Sequence, residues 1–356
     1  MNMNNIDQIN PGLKIAFYSF SLAALSVLFL IYFENILKPF VFALMIWYII
    51  KELKRALGRI KFRGKSMPTW LRGLLAFLII TLIFIGIFQL ISMNIEQFND
   101  VAPQYREKID NLVSKLSTVF NNPKIMDYVR QSVAKINIAG IATNIVNSLS
   151  SFFTGFMVVL VYVIFMLLEE AIAHLKVEGL FPGKGKQYQE FKNLVGKIDK
   201  SIQAYMFSML LISFLTAFIS YIALVIMGVD FPVLWAFLIF ILNFIPYIGP
   251  FISSLLPAVL AIFQLGSFLD FLTVFVVLEI IQIILGSFVQ PKLMGKSLNI
   301  SPLTVLIALA FWGSIWGVVG MILSIPIASI AIIIMAQFPG TRFVAVLLSE
   351  KGDVGD

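Results

Sequence analysis

Two stretches constrain this chain more than any others: residues 243–257, NFIPYIGPFISSLLP, and residues 290–302, QPKLMGKSLNISP. Each interrupts a long apolar region with proline, glycine and polar side chains. An unbroken apolar helix satisfies its own backbone in hydrocarbon. A broken one leaves N–H and C=O groups unpaired, so breaks persist only where protein or a water-filled cavity surrounds them. In transporters such breaks sit at the substrate site. The sequence therefore points to these two stretches for function.

The apolar regions around them are membrane spans. The chain is 60% hydrophobic and 13% charged, with mean hydropathy +0.95. Soluble domains run to roughly 45–50% apolar and about 25% charged. Many runs reach the roughly 20 residues that cross a hydrocarbon core. The net charge of +7 does not indicate a nucleic-acid partner, because it is local. Residues 51–72 hold eight of the 26 Lys and Arg and one of the 19 acids, and the remainder balances at 18 and 18. One basic loop between apolar spans is the positive-inside pattern, and anionic membrane lipid attracts it. With no cysteine, thiol chemistry and cysteine metal sites are excluded. The single histidine, His174, makes no Ser/His dyad, and no HExxH, GxGD or P-loop pattern is present. We expect no enzyme, no cofactor and no metal centre.

In order, residues 1–93 read as a three-span N-terminal region with the basic loop in the cytoplasm. Residues 13–33 cross outward, 37–50 return after a turn at Glu34 and Asn35, and 71–93 cross outward again. Residues 94–147 read as an outer amphipathic helical arm, with Tyr105, Ile109, Leu112, Leu116 and Val119 on one face and a second piece over 125–136. Residues 148–204 hold a fourth span ending at Glu169 and Glu170. They also hold an inner interfacial helix with Tyr188, Phe191, Val195, Ile198 and Ile202 on one face. Residues 205–341 form the core, and 342–356 a cytoplasmic tail, so both termini are cytoplasmic.

Within the core no Lys or Arg occurs from 201 to 291. A span at 205–227 precedes two short arms, 231–242 and 251–263, around the first break. A span at 271–289 precedes 303–338, which leaves and returns on one side around Trp312–Gly320. Each broken pair reads as two tilted spans or as a re-entrant hairpin; the uncharged tip of the first favours the hairpin. Opposed hairpins after two spans have the shape of an inverted repeat. The fold class is thus an all-α, polytopic membrane bundle of about eight spans, counting two broken or re-entrant hairpins.

Glu279 is the one acid inside an apolar span, and an ionisable group at that depth is a functional-site hypothesis. It suits proton or cation coupling; the alternative is a bond to a neighbouring helix. Gln282 and Gly286 share its face, and Gln290 does too if the helix continues. Asn243, Tyr247 and Ser253 bring polar groups to the first break, which Pro246, Gly249, Pro250 and Pro257 create; a packing kink is the other reading. Pro291 and Pro302 bound the second stretch, where Asn299 and Ser301 serve as a helix cap or as a solute-binding helix N-terminus. Gly313, Gly317 and Gly320, with Pro326, permit a further break or close packing.

The run Pro246-Tyr-Ile-Gly-Pro250, Pro257-Ala258, Gln290-Pro-Lys-Leu-Met-Gly-Lys296, Ser301-Pro-Leu303 and Trp316-Gly-Val-Val-Gly-Met-Ile-Leu-Ser-Ile-Pro326 resemble the AI-2E (autoinducer-2 exporter) transporter family. The resemblance covers roughly residues 13–340. It implies a multispanning permease of the cell (inner) membrane and a homo-oligomer. Members of that family are linked to export of autoinducer-2, a small polar quorum-sensing signal, or resemble Na⁺ or Li⁺/H⁺ antiporters. A small polar solute or a monovalent cation is therefore the expected partner. A channel-like facilitator and a membrane scaffold are the competing readings.

Overall fold

Where apolar residues run on without interruption, the chain is helical. The computed structural model describes residues 11–59, 61–62, 65–119, 138–181, 185–294 and 299–352. The helices are α1 (Pro11–Tyr32), α2 (Glu34–Arg59), α3 (Thr69–Val119), α4 (Ile138–Leu180), α5 (Lys186–Ile226), α6 (Pro232–Leu242) and α7 (Ile248–Leu265). Then comes α8, which starts as Phe268–Ile284, passes through a π-helical turn at Leu285–Val289 and ends as Gln290–Met294. The last are α9 (Pro302–Trp316), α10 (Val318–Gln337) and α11 (Arg342–Leu348). The basic loop between α2 and α3 turns back through a two-residue antiparallel pair, Lys61–Phe62 with Lys65–Ser66. Six segments are long and apolar enough to cross a membrane: Thr69–Asn94, Gly155–Leu180, Lys186–Ile226, Ile248–Leu265, Phe268–Leu293 and Val318–Gln337. The protein is a polytopic helical membrane bundle.

Several boundaries differ from those read in the sequence. Residues 13–33 and 37–50 were expected to form an antiparallel hairpin; α1 and α2 instead meet at Phe33 with a bend of 85°. The third span and the first part of the expected outer arm, up to Val119, are one helix of 51 residues, because nothing between 93 and 94 breaks it, and residues 138–147 of that arm begin α4. Side chains of its apolar outer face and the piece at 125–136 lie outside the described residues. The expected interfacial helix is the first part of α5, which runs 41 residues without interruption. The drop in charge after Lys200 falls inside α5 and marks no helix end.

The hairpin arms are unequal. α6 has 11 residues and α7 has 18; α9 has 15 and α10 has 20. The second arm of the first pair is longer than expected because Pro250 falls in its first turn, where a missing N–H costs little. Pro257 and Pro326 both lie inside continuous helices and interrupt neither. Membrane helices tolerate such prolines when neighbours satisfy the freed carbonyl. Pro291 follows the π-helical turn, in which the Gln290 N–H reaches Leu285 O. The extra residue relieves the clash between a proline ring and the carbonyl four residues back.

Burial is concentrated in the C-terminal half. In an apolar stretch of 18 residues within each span, 11% of residues are buried for Thr69–Asn94 and 17% for Gly155–Leu180, against 39% for Lys186–Ile226 and 44% for Val318–Gln337. A small cluster joins α2, α3 and α4 around Ala43, Ile50, Ala76 and Val163. A second core joins α5 to α6, α7 and α8 around Leu224, Ile239, Ala258 and Leu278. A third gathers Tyr48 of α2, Tyr205 and Ile212 of α5, Phe244 and Ile245, Leu309, Trp316 and Leu323. Polar contacts tie α2 to the start of α5 and to α4. Lys51 pairs with Asp199 at 2.6 Å, Lys54 with Glu170 at 3.0 Å, and Gln203 donates to Glu52.

Candidate functional site

The helix around which the breaks are arranged is α5. Its buried face carries Tyr205, Ser208, Ser213, Thr216 and Ser220, at spacings of three to five residues. Ser208 Oγ donates to Leu293 O at 3.2 Å, and Met209 Sδ accepts from Gln290 Nε2 at 3.5 Å, so the end of α8 is held there. Ser213 Oγ accepts from Asn243 Nδ2 at 3.1 Å, which docks the tip of the first hairpin. Lower on α5, the Ser201 and Ser329 hydroxyls share a hydrogen bond of 3.1 Å, which docks α10.

The first hairpin turns over residues 243–247. Tyr247 has φ 61° and ψ −53°, a positive φ that is strained for a bulky side chain. Gly249 is required by contact: a Cβ there would lie 1.8 Å from Leu242 O. Pro250 O then accepts from both Ser253 Oγ and Ser254 Oγ, at 2.8 and 3.1 Å. Gln282 Nε2 of α8 donates to Ser253 Oγ at 3.1 Å. Three of the residues expected at the site thus enter two hydrogen-bonded pairs, Asn243 with Ser213 of α5 and Ser253 with Gln282 of α8, while Gln290 braces α8 on α5. Tyr247 does not join them; its side chain is 57% exposed.

The second hairpin repeats the arrangement. Gly317, with φ 63° and ψ −140°, is its one-residue break. Gly320 presses on the preceding arm, where a Cβ would lie 1.9 Å from Trp312 O. Gly313 packs against Met321, whose side chain a Cβ would approach to 3.0 Å. Gly313 and Gly320 are packing positions and only Gly317 is a break.

The two tips lie at one depth. Asn243 is bonded to Ser213, and Ser213 is 12 residues beyond Ser201 on α5. Gly317 is 12 residues from Ser329, which is bonded to Ser201. At ~1.5 Å per residue both tips stand ~18 Å along their helices from that bond. Phe244, Ile245 and Trp316 accordingly share one core cluster. An α6 of 11 residues is ~16 Å long, short of the ~30 Å that a full span needs.

Glu279 lies one turn above Gln282 and one turn below Phe275, whose ring meets Phe251 of α7. It therefore occupies the face of α8 turned to the first hairpin. Its Oε1 is buried and has no hydrogen-bond partner among the described residues, a costly condition for a carboxyl oxygen. The bond to a neighbouring helix weighed above is absent at that oxygen. Asn299 and Ser301 are not brought to this site. Ser301 caps α9 through Thr304 N at 3.1 Å and receives nothing from the break region. Ser301 N and Thr304 Oγ1 both donate to Leu348 O at 3.0 Å, and Asn299 Oδ1 accepts from Glu350 N at 3.2 Å. These residues fasten α11 beneath the second hairpin.

The hydroxyl face of α5 was not singled out from sequence. Its signal was available, since hydroxyl residues recurring at helical spacing in an apolar span predict one buried polar face.

Over residues 18–340 the sequence matches the family described as AI-2E family transporter. A Haemophilus influenzae protein with a provisional transport-protein description is 30% identical over 330 residues, covering 90% of this chain and 91% of that one. The AI-2 transport protein TqsA of Escherichia coli K12 is 27% identical over 327 residues, covering 89% and 90%. YueF of Bacillus subtilis, also provisionally described as a transport protein, is 28% identical over 327 residues, covering 85% and 84%.

Proposed function

The chain belongs to the AI-2E family of transporters, and we propose that it works as a secondary transporter with its solute site between the two hairpin tips. The observation that carries this reading is the equal depth of Asn243 and Gly317 beside α5. Two broken helices meeting near the bilayer midplane form a barrier that opens to either side when one hairpin moves. Glu279 supplies the coupling charge, supported by its unpartnered buried oxygen and its place beside the Gln282–Ser253 pair.

The solute is a small polar molecule such as autoinducer-2, the candidate that the name of TqsA suggests, or the chain exchanges Na⁺ or Li⁺ for H⁺. The bacterial inner membrane is its location, with both termini in the cytoplasm; the basic loop supports that orientation. The sparsely buried spans of α3 and α4 support a homo-oligomer.

The test is flux into proteoliposomes under Na⁺, Li⁺ and H⁺ gradients, and counterflow of autoinducer-2. Glu279→Gln is expected to abolish gradient-driven flux while the protein still inserts and stays monodisperse. Wild-type flux in that variant at every pH would remove Glu279 from the mechanism. Flux without saturable counterflow would replace alternating access by a passive pore.

A further inference from the structure

We propose that the hydroxyl face of α5 is the fixed wall of the solute path, with Ser220 as its outer and Tyr205 as its inner binding position. The inference rests on the transporter reading and assigns residues outside both breaks. Tyr205 is 1% exposed and Ser220 is 0% exposed, and neither hydroxyl has a hydrogen-bond partner among the described residues. Every other hydroxyl on this face is occupied: Ser208 on Leu293 O, Ser213 on Asn243, Thr216 on Ile212 O. A buried hydroxyl without a partner is a poor structural choice. Two of them on one helix face, on either side of the Ser213–Asn243 contact, are vacant hydrogen-bonding positions along a line.

Their placement fits the path. Tyr205 is eight residues inward of Ser213 and Ser220 is seven outward, so they lie ~12 and ~10 Å from the level of the hairpin tips. Tyr205 belongs to the core that holds both tips, and Ser220 lies one turn from Ala217 and Leu224 in the core that holds α6 and α7. With both covered, the structure is closed at each end. Movement of the first hairpin uncovers the outer position, and movement of the second uncovers the inner one.

The chemistry of the wall selects a class of solute. No Lys or Arg lies between 201 and 291, so nothing there favours an anion. Hydroxyls both donate and accept. The wall therefore suits a neutral solute bearing its own donors and acceptors, while Glu279 handles the ion. Solute recognition and ion coupling fall on different helices.

The absence of cysteine makes a direct test available. Single variants Ser220→Cys and Tyr205→Cys are treated with a membrane-impermeant methanethiosulfonate from each side of oriented proteoliposomes. Phe218→Cys serves as control, since Phe218 is 53% exposed on another face of α5. We expect Ser220→Cys to react from the outer side, Tyr205→Cys from the inner side, and the control from neither. Silence at either position, or equal reaction of the control, overturns the proposal.

A second measurement covers misfolding of the cysteine variants. Tyr205→Phe and Ser220→Ala remove hydroxyls that bond nothing among the described residues, so melting temperature should hold or rise. KM of the transported solute should rise about two- to tenfold, with the ion dependence unchanged. A lower melting temperature with unchanged KM would make both hydroxyls structural. Labelling reads water access without a known solute, so it can fail while wild-type flux, and with it the transporter reading, stands.

Discussion

The two helical hairpins share a construction and differ in what holds them. In each, a glycine at the start of the longer arm presses on a carbonyl of the shorter one, Gly249 on Leu242 and Gly320 on Trp312. In each, the tip stops at the same depth beside α5. The first hairpin is held at its tip by side-chain hydrogen bonds, Asn243 to Ser213 and Gln282 to Ser253. The second is held by aromatic bulk and at its base. The Trp312 and Trp316 rings lie 5.2 Å apart, tilted by 50°, the Trp316 indole donates to Leu30 O at 3.0 Å, and α11 is fastened below through Leu348 O. Side-chain hydrogen bonds in a membrane interior exchange readily for bonds to a solute; packed indoles do not. On the transporter reading proposed above, the first hairpin opens the more readily of the two and the second is the stiffer frame.

The largest effect is expected where the hairpins are alike. Gly249→Ala and Gly320→Ala each force a Cβ to within 2 Å of a backbone oxygen that has no flexible end to move. The cost exceeds about 3 kcal/mol in either arm. Both variants should lose monodisperse protein on size-exclusion chromatography. Normal behaviour of one alone would show that the two constructions are not equivalent.

A smaller effect separates them. Asn243→Leu strands the Ser213 hydroxyl, at ~1–3 kcal/mol, and flux should fall about tenfold or more from protein that still folds. An unchanged flux would remove the first hairpin from solute handling. The smallest effect belongs to the base of the frame. Ser301→Ala loses a helix cap, at ~1 kcal/mol, lowering the melting temperature by about 2–4 °C with KM unaltered. A raised KM would make Ser301 part of the site after all.

The sequence made the breaks legible because proline and glycine stand out in apolar runs, and Glu279 because a charge there has no cheap explanation. Asn243, Ser253 and Gln282 followed from proximity to those features. The reach of the breaks was harder to read. Pro257 and Pro326 disrupt a helix only when the surrounding packing fails to compensate, and that packing is tertiary. Asn299 and Ser301 were read toward the site because capping and ligand binding use the same side chains; only the position of Leu348 O separates the two. The unbroken α5 was hidden by the change in charge at Lys200, and the equal depth of the tips depends on which serines meet across helices.

One set of contacts at the C-terminal end of α7 bears on how the first hairpin can move. Gln264 Nε2 donates to Gly228 O at 2.7 Å, its Oε1 accepts from Asp230 N at 2.8 Å, and its carbonyl accepts from Lys108 Nζ at 2.8 Å. Pinned there, α7 cannot slide along its axis without breaking all three. It is a lever with its fulcrum at Gln264 and its far end ~24 Å away at Ile248, beside the Asn243–Ser213 and Gln282–Ser253 bonds. A tilt of about 10° about Gln264 sweeps that end through ~4 Å, about the width of a small solute, while α5 stays where it is.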